Sequence, residues 1–168
     1  MYLTSIIKYA GVFALLIILQ VTLIGYLLSI PNYNVTPDIV ILFVIYIGYT
    51  QGNIPGMLSG FISGLILDML SGSFIGLLAL SYSIAGFIAG YFNRETSAGS
   101  SRRSSFIGII FLCTLVAYTI YYAIYFQGSS INFFEIFLKH IITTTLYTSV
   151  FGLIFALIYN RFDLKKTI

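Results

Sequence analysis

Charge is what this chain has least of. Its 168 residues include 8 lysines and arginines and 5 acids, 8% charged in all, against about 25% in a typical soluble domain. With 59% hydrophobic residues and a mean hydropathy of +1.01, there are too few polar groups to cover a folded surface in water. A soluble enzyme and a nucleic-acid-binding module are excluded on that ground. Disorder is excluded for the opposite reason, since it needs low hydrophobicity and high net charge. Cys113 is the single cysteine and His140 the single histidine, so neither an intrachain disulfide nor a multi-thiolate or multi-histidine metal site can be assembled. No cofactor is expected. Tryptophan is absent altogether. What remains is an integral membrane protein whose net charge of +3 is the basic flanking that membrane helices keep on their cytoplasmic side.

A bilayer core of ~30 Å takes ~20 apolar helical residues, with ~17–25 tolerated. The chain reads as one integral membrane domain, 1–168, all-α and polytopic, with six transmembrane helices at about 9–30, 36–50, 54–70, 74–92, 106–126 and 136–160. The second is short and needs local thinning or burial against its neighbours. Its start signals are good: Thr36 can cap, Pro37 fits the first turn, and Asp38 faces the positive end of the helix dipole. Asn53 and Pro55 open the third helix in similar style. The first span has an apolar stretch longer than the ~7–15 residues of a signal peptide and no small-x-small cleavage site after it, so it is expected to stay. The closing Lys165-Lys166-Thr167-Ile168 resembles a dilysine retrieval tail, although basic residues after a last helix are the commoner explanation.

Lysine and arginine set the orientation. With six spans and both termini cytoplasmic, Lys8, Arg94, Arg102, Arg103, Arg161, Lys165 and Lys166 fall inside and only Lys139 outside. Five spans with the N-terminus outside place two of the eight outside, so the rule is decisive only for the loop 93–105 and the C-terminal tail. All connections are short, which leaves no room for a soluble domain.

Two acids lie at membrane depth or its rim, Asp38 and Asp68, and an ionisable group there costs ~2.5–3.5 kcal/mol to insert. Gly56, Gly60, Gly64 and Asp68 recur every fourth residue, and Gly72 and Gly76 continue the spacing. Positions i and i+4 share a helical face, and a glycine stripe admits another helix to backbone contact. Asp68 then reads either as a carboxylate for a partner or substrate, or as a helix-end acid bonding the amides of the Ser71–Ser73 turn. Asp38 reads either as a cap or as a functional acid. Tyr118, Tyr121, Tyr122 and Tyr125 form a stripe on the fifth span that is an interfacial aromatic belt or the wall of a hydroxyl-lined pocket. Thr143, Thr144, Thr145, Tyr147 and Thr148 are placed to hydrogen-bond between helices, while Lys139 and His140 read as interfacial. No pair of residues for acid–base or nucleophilic chemistry emerges, so the chain is not expected to be an enzyme; a lipid-modifying activity would want more acids, histidines or arginines on one cavity.

The run Thr36-Pro37-Asp38-Ile39-Val40-Ile41-Leu42, then Gly56-Met57-Leu58-Ser59-Gly60-Phe61-Ile62-Ser63-Gly64-Leu65-Ile66-Leu67-Asp68-Met69-Leu70-Ser71-Gly72 and Gly76-Leu77, resembles the bacterial rod-shape-determining MreD family. The likeness covers about residues 36–91 and draws on common membrane residues; the flanking helices contribute hydropathy alone. It implies a non-catalytic scaffold subunit of the cell-elongation, peptidoglycan-synthesis machinery in the bacterial cytoplasmic (inner) membrane. Its implied partners are a single-span protein of the MreC type and, through it, the MreB filament and the peptidoglycan synthases; a homo-oligomer is compatible with the same reading. The resemblance also implies a fold similar to the substrate-binding subunits of energy-coupling-factor transporters. That makes a vitamin-binding transporter subunit the competing function, although such a pocket is expected to hold more polar residues and tryptophan. The residues expected at a partner interface or in helix packing are Pro37, Asp38, Gly56, Gly60, Gly64, Asp68, Ser71, Gly72 and Gly76.

Overall fold

Every described segment of the chain is helical or a turn, with no strand among the described residues. The structure is a computed structural model that describes residues 11, 13, 15–24, 36–72, 74–95, 102–127 and 137–163. Residues 15–19 are helical and run into a wide i→i+5 turn, Gln20–Ile24. Five α-helices follow: α1 (Ile39–Gln51), α2 (Asn53–Ser71), α3 (Leu77–Glu95), α4 (Arg102–Tyr125) and α5 (Thr143–Asp163), the last preceded by a second wide turn, Phe137–Ile142. Asn53–Ser71 and Phe106–Tyr125 are long and apolar enough to cross a bilayer unaided; Ile39–Gln51, Leu77–Asn93 and His140–Ile154 are apolar but shorter.

Several ends differ from the sequence expectation. The span expected from 36 starts at Ile39, because Asp38, not Thr36, is its cap: the Asp38 carboxylate accepts from the Ile41 amide at 3.1 Å. The span expected from 74 starts at Leu77, since Gly76 sits at φ 99° and cannot be a helical residue. The helix that carries the span expected from 106 starts one turn earlier, at Arg102, while its membrane-length apolar stretch is Phe106–Tyr125.

Polarity is distributed inside out. Asp38, Asp68, Ser63, Ser81, Thr114, Thr144, Thr145 and Thr148 are buried, while Ile54, Leu58, Phe61, Ile62, Met69, Leu80, Phe87, Leu146 and Val150 face outward. Water would reject that outer surface; hydrocarbon accepts it and drives the polar groups inward to find partners. Helix α1 is apolar all round, and nine of its 13 residues are buried, so it is the central element. At ~1.5 Å per residue it spans only ~20 Å, which its enclosure by α2, α3, α4 and α5 permits.

Helices α2 and α3 form a tight antiparallel pair. A Cβ added at Gly56 would run into the backbone of Gly86, at Gly60 into that of Tyr82 and Ser83, and at Gly64 into that of Leu78 and Ala79. On α1, Gly48 meets Gly86 and Gly90 in the same way, so three backbones converge where Gly48, Gly56 and Gly86 touch. Between helices in lipid there is no hydrophobic gain to be had, and close approach of small residues supplies the dispersion that holds them. The stripe of glycines is occupied by the chain's own α3.

Candidate functional site

Asp38 is the meeting point of the bundle. It is 4% exposed and stands just before α1, preceded by Pro37. One carboxylate oxygen, Oδ1, accepts the Ile41 amide. The other, Oδ2, accepts the hydroxyl of Tyr82 from α3 and, at 2.7 Å, the hydroxyl of Tyr118 from α4. The Asp38 amide donates to Thr148 Oγ1 of α5 at 3.3 Å. Gln20, in the first wide turn, clamps the neighbouring peptides: its Nε2 donates to the Pro37 carbonyl at 2.9 Å and its Oε1 accepts the Ile39 amide at 3.1 Å. The N-terminal segment and α1, α3, α4 and α5 thus all bond within residues 37–41. Tyrosine hydroxyls and an amide are all donors toward this side chain, and a carboxylate is the group that accepts from every one of them.

The reading of Tyr118 as part of an interfacial belt is corrected here. It is buried and bonded to Asp38, whereas Tyr125, two turns on, is 44% exposed and packs edge-on against Phe74. The stripe grades from buried to exposed: Tyr118 is buried, Tyr121 and Tyr122 are half-buried, and Tyr125 is exposed. Tyr122 stacks on His140 at 5.8 Å between ring centroids, tying α4 to the second wide turn.

Asp68 does a different job. It is fully buried at the end of α2, and its carboxylate accepts the amides of Gly76 at 2.8 Å, Leu78 at 3.1 Å and Ala79 at 3.3 Å. These are orphan amides of α3, which has no acid in its own first turn. The acid therefore caps the next helix across the hairpin; Ser71 Oγ donates weakly to the Asp68 carbonyl at 3.4 Å, and Ser73 lies outside the described residues. Gly72, at φ 64°, makes the left-handed turn that ends α2. Gly64, one turn before Asp68, lets Ala79 approach closely enough for these bonds to form. Asp68→Ala should leave three amides unanswered, one buried and two part-buried, at up to ~1–3 kcal/mol each where no water replaces the carboxylate. A drop in thermal midpoint is expected, with Asp68→Asn retaining part of the loss through its remaining oxygen. A midpoint for Asp68→Ala equal to the parent protein's would refute the capping role.

Of the residues singled out from sequence, the structure brings Pro37 and Asp38 into one cluster and Gly64, Asp68, Ser71, Gly72 and Gly76 into another, with Gly56 and Gly60 along the seam. Thr148, expected to hydrogen-bond between helices, does so with Asp38, whereas Gln20, Tyr82, Gly48, Gly86 and Gly90 were not among them. The glycines had a signal, since the four-residue spacing extends back through Gly52 to Gly48, and Gly86 and Gly90 share it. Gln20 had one too, as an amide side chain inside an apolar span. Among the described residues no group of three or more histidines, cysteines or acids is placed to hold a metal ion.

A family model described as rod shape-determining protein MreD matches residues 5–161, nearly the whole chain. No curated protein and no solved structure matches it.

Proposed function

Because the chain belongs to the MreD family of rod shape-determining proteins, we propose that it serves cell shape as a non-catalytic scaffold, holding a single-span partner of the MreC type in the cytoplasmic membrane. Membership carries the role in rod-shape determination, and the apolar helices are those of a membrane protein. The observation that supports a scaffold is the state of the two buried acids. Asp38 and Asp68 are both engaged by donors of the chain itself. Their carboxylates stabilise helix ends and helix junctions, which is what a rigid platform for another helix requires.

The test is recovery of the partner. Deleting the protein should round rod-shaped cells, and the tagged protein should retain an MreC-type subunit through detergent extraction. A stoichiometric vitamin found by mass spectrometry in purified protein, with no partner retained and cell shape unchanged on deletion, would overturn the scaffold reading.

The proposal includes six spans with both termini cytoplasmic. Ser101 and Ser129, which lie outside the described residues, are the informative positions. In a Cys113→Ala background, a cysteine at 129 should label with a membrane-impermeant maleimide in intact cells and a cysteine at 101 should not. Labelling at 101 would reverse the orientation.

A further inference from the structure

The bundle has two kinds of joint. Helices α1, α2 and α3 are locked backbone to backbone: a single Cβ at Gly48, Gly56, Gly60, Gly64, Gly86 or Gly90 would strike a neighbour's main chain. Such a joint has no slack, and these helices move as one body. The N-terminal segment, α4 and α5 are attached otherwise. They pack through side chains, as where Phe13 meets Phe43, Tyr49 meets Phe106, and Leu42 and Ile110 lie over Gly152. The hydrogen bonds described between them and the start of α1 fall on three consecutive residues: Gln20 on Pro37 and Ile39, and Tyr118 and Thr148 on Asp38.

Wide i→i+5 turns flank that point on both outer elements, at Gln20–Ile24 and at Phe137–Ile142. Such turns hold one residue more than an α-turn, are rare, and cluster at functional sites. The first carries Gln20 itself; the second leads directly into the threonines of α5. Two of the three attached elements, the N-terminal segment and α5, therefore have a point of altered winding near the cluster that fastens them.

We propose that Asp38 is a latch: it holds a movable body, the N-terminal segment with α4 and α5, against the glycine-locked α1–α3 core, and the bundle opens at this end by rewinding at the two wide turns. The inference concerns how the chain's own helices are joined and stands apart from the partner reading. Tyr82 belongs to the core and Tyr118 to the movable body, so the two tyrosines on one carboxylate oxygen separate the latch from mere support of α1.

Paired spin labels in nanodiscs test it, with Cys113→Ala as background. Met69 and Phe87 are exposed positions on α2 and α3, and Leu146 is exposed on α5. Tyr118→Phe, which deletes only the hydroxyl, should shift the 69–146 distance distribution to longer and broader values and leave 69–87 unchanged. Tyr82→Phe should move neither. If Tyr118→Phe is not recovered folded, Thr148→Val carries the same expectation. The latch is overturned if both distributions stay as in the parent protein, if both broaden together, or if Tyr82→Phe opens 69–146 as far as Tyr118→Phe does.

Discussion

Asp38→Ala is expected to leave little folded protein after extraction. The substitution removes an N-cap, worth ~0.5–2 kcal/mol, and at the same time strands the buried Tyr82 and Tyr118 hydroxyls. Each orphaned buried donor costs ~1–3 kcal/mol. The combined loss is a large fraction of the ~5–15 kcal/mol that separates a folded chain from an unfolded one. It also falls on the residue that α3, α4 and α5 bond, between the two that Gln20 clamps, so no single helix can relax to absorb it. Asp38→Asn should be intermediate: its oxygen can still cap Ile41, but its NH₂ then faces two hydroxyls that in the parent protein donate to Oδ2, and both must turn to accept. Yield of monodisperse protein on size exclusion and the thermal midpoint read the series. Parent-like behaviour of Asp38→Ala on both would show that the cluster does not hold the bundle.

Gly64→Leu should be as damaging by a different route, and Gly108→Leu should be nearly silent. At Gly64 the added side chain meets Ala79 N and Cα and the Leu78 carbonyl carbon. Overpacking a core costs ~1–3 kcal/mol when side chains can yield; here the obstacle is backbone, and α3 itself must move away. Moving it draws the amides of Gly76, Leu78 and Ala79 off the Asp68 carboxylate one turn along, so packing and capping fail together. Gly108, on α4, has nothing within 4 Å of an added Cβ, and replacing an exposed helical glycine recovers up to ~1 kcal/mol of helix propensity. Comparable stability of the two variants would show that the seam carries no load.

Much of this was written locally. The all-helical class and the membrane setting follow from composition, because an 8% charged chain has nowhere else to fold. The seam followed from spacing: glycines at i and i+4 share a face whatever lies opposite. That Asp68 ends a helix near a Ser-Gly turn was legible for the same reason. Its actual partners were not, since Gly76, Leu78 and Ala79 come within reach only once α3 has folded back along α2.

The Asp38 cluster lay beyond local reading. Its members are separated from Asp38 by 44 residues at Tyr82, 80 at Tyr118 and 110 at Thr148, and no spacing rule extends that far. Nothing in the stripe Tyr118, Tyr121, Tyr122 and Tyr125 tells that Tyr118 is the one bonded to Asp38, because the rotation of α4 is set by what it packs against. The sequence by itself determined that this chain forms apolar helices, that glycines line one face of α2, and that two acids stand at helix ends. Only the tertiary structure decided which donors those acids receive, for burial in an apolar bundle makes every polar group seek a partner while leaving to the packing of distant helices which partner it finds.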